Sequence, residues 1–172
     1  MAKLLFNKII NKIEQASELY HRLVLVVAPQ GSGKTEVLRN IQKHLGVAFV
    51  NVNLEVSRQL LDLTTKQQAL QVSRIMEDIL REAETEVVLL DNIEILFEVS
   101  LKQDPLRLLQ GLSRNRTIVA SWNGEIRDKN LTYASPDHLE YRRYPAHELL
   151  VVTMQSDLKN ATNNNTVEGC QR

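Results

Sequence analysis

The chain has 172 residues, enough for one domain with its own apolar core. Lys+Arg 21 balance Asp+Glu 21, so bulk charge points neither toward nucleic acid nor away from it, and only a local basic patch could serve such a partner. A single cysteine, Cys170, excludes an intrachain disulfide framework and suits a reducing cytoplasm, while no stretch is long and apolar enough to span a bilayer. Leu5, Ile9, Ile13, Ala16 and Tyr20 recur at helical spacing and predict an amphipathic helix over 3–20, packed on the flank of the domain or docking another subunit. That periodicity differs from the contiguous apolar core of a signal peptide, and Glu14 and Glu18 argue against a transit peptide.

The apolar run Leu23–Val27 predicts a buried strand, and Ala28-Pro29-Gln30-Gly31-Ser32-Gly33-Lys34-Thr35 follows it. Lys34–Leu45 then has a helical pattern. Strand, glycine-rich turn and helix N-terminus are the parts of a phosphate-binding P-loop. Gly31 and Gly33 let the backbone curl so that successive N–H groups face phosphate oxygens. Lys34 is placed to reach the β- and γ-phosphates, and Thr35 to offer its hydroxyl to Mg²⁺. Pro29, Gln30, Gly31, Ser32, Gly33, Lys34, Thr35 and Glu36 are therefore the candidate nucleotide-binding residues, with ATP and Mg²⁺ as the implied ligands. The strict motif begins with Gly where this chain has Ala28, a residue small enough for the loop. An ordinary glycine-rich turn is the bland alternative, and Gly-Lys-Thr at this spacing disfavours it.

Further along, Val47–Val52 predicts a second strand and Gln67–Ala83 a helix carrying apolar Leu70, Val72, Ile75, Met76, Ile79 and Leu80. Val87–Leu90 predicts a third strand that ends in Asp91. Four apolar residues followed by a carboxylate form a Walker B pattern, which makes Asp91 the metal-site partner of Thr35, acting through water. A helix over Pro105–Leu112, a strand over Thr117–Ala120 and a last strand over Leu149–Val152 complete the pattern. Trp122–Pro145 is the least regular stretch and is expected to carry function rather than core. Most strands are continuous apolar runs, as in a parallel sheet covered on both faces, and the β-α alternation predicts a three-layer α/β/α sandwich. Residues 1–155 are expected to form the P-loop domain and 156–172 a polar, mobile tail. His21, His44, His138 and His147 lack metal-ligand spacing.

A strand between the P-loop strand and the Walker B strand resembles the arrangement in AAA+ and RecA ATPases. The resemblance implies a five-stranded, mainly parallel sheet of order 5-1-4-3-2. It also implies a polar residue after the fourth strand that orients the attacking water: Asn123 is the candidate, Ser121 the second choice, and a plain turn before Gly124 the alternative. An arginine reaching a neighbouring subunit's site is implied near His138-Leu139-Glu140-Tyr141-Arg142-Arg143-Tyr144, where Arg142 or Arg143 qualifies and a solvated basic pair is the alternative. The family's usual catalytic Glu directly follows the Walker B Asp, but this chain has Asn92 there. An amide orients water but cannot take its proton, so Glu94 or Glu55 must stand in as the base, or the protein is a nucleotide switch.

Taken together, Ala28–Thr35, Asn51–Arg58, Leu89–Phe97 and His138–Tyr144 resemble the small P-loop proteins of BREX phage-defence systems (BrxF-like) over about residues 3–153. The resemblance implies an AAA+-like ATPase core without a lid domain, in a cytoplasmic anti-phage complex. Its implied partners are copies of itself, a hexameric ring being one form, and other defence subunits. DNA would be contacted directly or through those partners, and no membrane is involved. Two other readings stay open: a small nucleotide or metabolite kinase, with Trp122–Pro145 as its lid, and a non-catalytic DNA adaptor using Arg107, Arg114, Arg116 and Arg127 as a basic patch.

Overall fold

The computed structural model describes residues 2–154; the tail expected over 156–172 lies outside the described residues. Its helices are α1 (Ala2–Ala16), α2 (Lys34–Leu45), α3 (Val52–Leu60), α4 (Thr65–Glu82) and α5 (Pro105–Leu112). Its strands are β1 (Leu23–Ala28), β2 (Ala48–Asn51), β3 (Val87–Asp91), β4 (Thr117–Arg127), β5 (Asn130–Tyr133), β6 (Arg142–Pro145) and β7 (Leu150–Thr153), with short 3₁₀ turns at Ile93–Phe97 and Val99–Leu101.

The core sheet runs β2-β3-β4-β1-β7, and all its pairings are parallel. With β7 as the fifth core strand, this is the expected 5-1-4-3-2 order. The full sheet has seven strands rather than five, because β5 and β6 extend it from the far half of β4. Side chains alternate along each strand, so one sequence pattern feeds two cores. Val24, Val26, Leu89 and Val119 pack under α1 and α2 with Ile9, Leu38 and Ile41. Leu25, Val27, Leu90 and Ala120 face α3, α4 and the 3₁₀ segment with Val56, Met76 and Leu96. Helices on both faces explain why the strands read as unbroken apolar runs.

Local chemistry sets several boundaries. α1 ends at Ala16 rather than 20, where the Ser17 hydroxyl donates to the Glu14 carbonyl at 2.6 Å and competes with continuation of the helix. α2 stops at Gly46, which takes the left-handed conformation at φ 63°. α4 opens with a capping box between Thr64 and Gln67, and α5 with Asp104 at its N-cap and Pro105 in its first turn. The second strand ends one residue early, because the Asn51 side chain accepts from the Leu54 N–H and starts α3, a helix the apolar run concealed. The Arg116 guanidinium donates to the carbonyls of Leu80 and Ala83 and closes the end of α4.

Trp122–Pro145 is irregular only over residues 134–141. β4 continues to Arg127, turns through Asp128 and Lys129, both at positive φ, and returns as β5, with β6 alongside. Two left-handed residues between the paired Arg127 and Asn130 make a tight hairpin turn matched to strand twist. Phe97 stacks on Tyr133 with ring centroids 3.5 Å apart, and Trp122 meets Phe97 edge-on at 5.1 Å, so the extension is seated on the main core. Trp122 Nε1 donates to the Thr132 carbonyl at 3.0 Å. At Gly124 the backbones come so close that a Cβ would lie 1.8 Å from the Thr132 oxygen. Gly124→Ala is therefore expected to destabilise the protein by about 1–3 kcal/mol by forcing β4 and β5 apart. Urea unfolding followed by far-UV circular dichroism measures this.

Candidate nucleotide site

The P-loop leaves the carboxyl end of β1 and enters α2. Gly31 and Gly33 sit at φ 78° and 86°. A Cβ at either would meet nothing within 4 Å, so glycine is required here for backbone conformation rather than for space. Gly33 precedes α2 without a side-chain cap, which leaves the first N–H groups of the helix for an anion. Lys34 is 8% exposed, and its Nζ donates to the carbonyls of Ala28 at 3.0 Å and Pro29 at 2.8 Å. Burial pushes its ammonium below the usual lysine pKa, while the charges of Glu94 and Asp91 pull it back up.

Asp91 is buried at the end of β3 between two hydroxyls. Thr35 Oγ1 donates to one carboxylate oxygen at 2.6 Å, and Ser121 Oγ donates to the other at 2.7 Å. One carboxylate thus ties the P-loop helix to β4. Glu94 arrives by a different route. Asn92 takes the left-handed conformation at φ 51°, its carbonyl accepts from the Asn53 N–H at 2.9 Å, and the 3₁₀ turn begins at the next residue. The sharp bend brings Glu94 back into the site, where its carboxylate accepts from Asn123 Nδ2. A cavity of about 630 Å³ is lined by Lys34, Thr35, Asp91, Glu94, Ser121 and Asn123, together with Gln30 to Gly33. Asn53 and Asn92 complete its wall.

The remaining candidates lie elsewhere. Glu36 faces an adjoining cavity of about 550 Å³ with Ser32 and Gly33, walled by α1 and Met154. Pro29 and Gln30 border a third space of about 440 Å³ with Glu94, Glu125, Tyr133 and Glu140, where burial and the two nearby carboxylates Glu140 and Glu94 raise the Tyr133 pKa to about 12. Glu55 is half-exposed on α3, 3.6 Å from Arg58, and does not line the phosphate cavity. Arg142 donates to the Gln103 carbonyl at 3.1 Å, and its buried Nε has no partner among the described residues, whereas Arg143 is exposed on β6. Neither arginine lines the phosphate cavity of its own chain.

The four arginines of the suggested DNA patch do not form one surface. Arg116 is committed to the end of α4, and Arg114 lies 4.8 Å over the Tyr20 ring. Arg127 pairs with Glu125 at the opposite end of β4, roughly 35 Å away at strand rise. Sequence pattern does not single out Asn53 as a cavity residue, whereas it marks Asn92 at the usual position of the catalytic Glu. Adjacency of β2 and β3, with Asn51 level with Asp91, is what brings them there.

Thr35 and Asp91 offer hard oxygen donors suited to Mg²⁺. No group of three or more His, Cys, Asp or Glu among the described residues holds a metal, so a cation there would complete its shell with nucleotide oxygens and water.

A parallel sheet with a P-loop after β1 and a buried, hydroxyl-bridged carboxylate at the end of β3 defines a P-loop nucleotide-binding protein. The model for the ATPase family associated with various cellular activities (AAA) matches residues 24–118, more than half of the chain. The chain belongs to this family and contains its ATPase domain. Among solved structures it is similar in fold to C. elegans PCH-2 (20% identity, TM-score 0.47), covering 74% of this chain and 39% of that one. It is also similar to AMPPCP-bound DnaA from Aquifex aeolicus (15% identity, TM-score 0.45; 88% and 45% covered). A third likeness is to a DNA replication initiation factor (15% identity, TM-score 0.42; 69% and 37% covered). The match thus spans less than half the length of each of these chains. No curated protein matches the sequence. Among the described residues no helix is long and apolar enough to cross a membrane.

Proposed function

We propose that this AAA domain binds ATP with Mg²⁺ and hydrolyses it, with Glu94 as the base that activates water. The observation that carries this is the shared cavity: Glu94 stands among Lys34, Thr35 and Asp91, and Asn123 holds its carboxylate. Lys34 would leave the Ala28 and Pro29 carbonyls for the β- and γ-phosphates. The free N–H groups of Gly31 to Thr35 would cradle the phosphate oxygens. Thr35 and Asp91 would hold Mg²⁺, which neutralises phosphate charge when bound. Asn123 would orient Glu94 and the attacking water. The cavity beside Ser32 and Glu36 gives the base and ribose a place between α1 and α2.

Replacing Lys34 removes a charge-assisted contact to phosphate. Lys34→Ala is expected to weaken binding of a fluorescent ATP analogue about 10- to 100-fold, as the loss of a charged hydrogen bond implies. Unchanged affinity would overturn the assignment of this loop.

The protein is further proposed to act as a cytoplasmic homo-oligomer, with a hexameric ring as one form, inside a BREX-type anti-phage complex. The resemblance of Asn51–Arg58, Leu89–Phe97 and His138–Tyr144 to small BREX P-loop proteins supports this. DNA would be reached chiefly through partner subunits, since the arginines are dispersed. Arg143, exposed on β6, is the arginine available to a neighbouring site, and Arg142 serves its own chain.

One observation favours a second reading. The space bordered by Glu125, Tyr133 and Glu140 shares Gln30, Glu94 and Asn123 with the phosphate cavity, and so offers room for a phosphoryl acceptor. ATP labelled in its γ-phosphate separates the two. Release of labelled inorganic phosphate supports the ATPase, and transfer of label to a nucleoside monophosphate supports the kinase.

A further inference from the structure

The open edge of the parallel sheet at β7 is a second feature with binding chemistry, and Lys8 and Thr153 border both it and the cavity beside Ser32 and Glu36. β7 pairs with β1 on one side, and no described residue pairs with its other side. The Met154 N–H donates to the Val27 carbonyl at 2.9 Å. Backbone groups change sides with each residue of a strand, so Leu150 and Val152 also turn theirs toward β1. The N–H and C=O groups of Val151 and Thr153 therefore face outward.

α1 runs beside this edge. Lys8, Asn11, Lys12 and Gln15 line a groove of about 370 Å³ whose floor is Val151, Val152 and Thr153. Lys8 and Lys12 stand one helical turn apart, and neither forms an ion pair among the described residues. Among the described residues Lys12 reaches only the Gln15 side-chain oxygen, at 3.3 Å. Lysine commonly blunts a sheet edge by projecting from the edge strand itself. Here the lysines come from the adjoining helix and flank the groove, and the strand's own groups stay accessible.

We propose that this edge binds an extended, acidic segment of a partner protein as an added strand. The segment's backbone bonds to Val151 and Thr153, and its carboxylates meet Lys8 and Lys12. A polypeptide fits better than nucleic acid, because the edge presents donors and acceptors at strand spacing, which a phosphate backbone does not match. The acidic character follows from the charged groups of the groove, which are both lysines. The exposed strand β6 of a second copy is a poor match, since it reads Arg142-Arg143-Tyr144-Pro145.

A short fluorescein-labelled peptide alternating Glu with Val or Thr, titrated into the full chain, tests this by anisotropy. Amide exchange at Val151 and Thr153, followed by NMR, gives a second readout. Saturable binding that slows exchange at those two amides supports the proposal. Lys8→Glu combined with Lys12→Glu is expected to weaken binding about tenfold through lost charge contacts and new repulsion. N-methylating alternate amides of the peptide is expected to abolish binding, and this arm decides the matter even if the double variant folds poorly. No binding by the acidic peptide overturns the proposal. So does binding that survives N-methylation, or a preference for an oligonucleotide of equal charge.

Discussion

Glu94→Gln is expected to retain ATP binding and to lose turnover by roughly 10²- to 10⁴-fold, the range for removing a general base. An amide in place of the carboxylate keeps the size of the side chain and can still contact Asn123, so the cavity persists while the proton acceptor is gone. Glu55→Gln supplies the contrast. That residue is half-exposed beside Arg58 and outside the phosphate cavity, and its replacement is expected to leave turnover nearly unchanged. Steady-state phosphate release, together with analogue binding for each variant, separates chemistry from affinity. A Glu94→Gln protein that turns over like wild type would remove Glu94 as the base, whereas a wild-type protein that binds ATP without turnover would favour the switch reading.

Arg143→Ala is expected to lower turnover by roughly 10³- to 10⁵-fold if a neighbouring copy's phosphates rely on it, the range for a guanidinium supplied in trans. Arg142→Ala is expected to behave differently. Arg142 joins β6 to the Gln103 carbonyl at 3.1 Å, so its loss should lower the melting temperature before it alters chemistry. The decisive measurement mixes two inactive proteins, Arg143→Ala and Lys34→Ala. In an assembly, one interface pairs an intact P-loop with an intact arginine, and activity returns in the mixture. A mixture as inactive as its parts would remove Arg143 from the site.

Much of this was legible in the amino-acid sequence because the core strands are buried on both faces. Leu23–Val27 and Val87–Leu90 could be found by apolarity alone, and the parallel order follows once the P-loop and Asp91 mark two strand ends. Three things were hidden. α3 begins inside an apolar run, and only the Asn51 side chain meeting the Leu54 N–H marks the change from strand to helix. The hairpin turn is Asp128-Lys129, which lacks the glycine that usually signals such a turn. The approach of Glu94 depends on a left-handed Asn92, and a single backbone angle has no periodicity to read. The sequence left Glu94 and Glu55 as equals, whereas the tertiary structure sets only Glu94 in the phosphate cavity.

β4 serves both the parallel core of the sheet and its antiparallel extension. Its last parallel partner is Ala28 opposite Asn123, and its first antiparallel partner is Tyr133 opposite Gly124. No loop separates the two halves, so a shift at Asn123 is expected to be felt at the hairpin. The chain's single tryptophan, Trp122, sits at that junction, packed edge-on against Phe97. Indole emission is therefore expected to change when the phosphate cavity is filled, and titrating ATP while recording it checks this without an attached label.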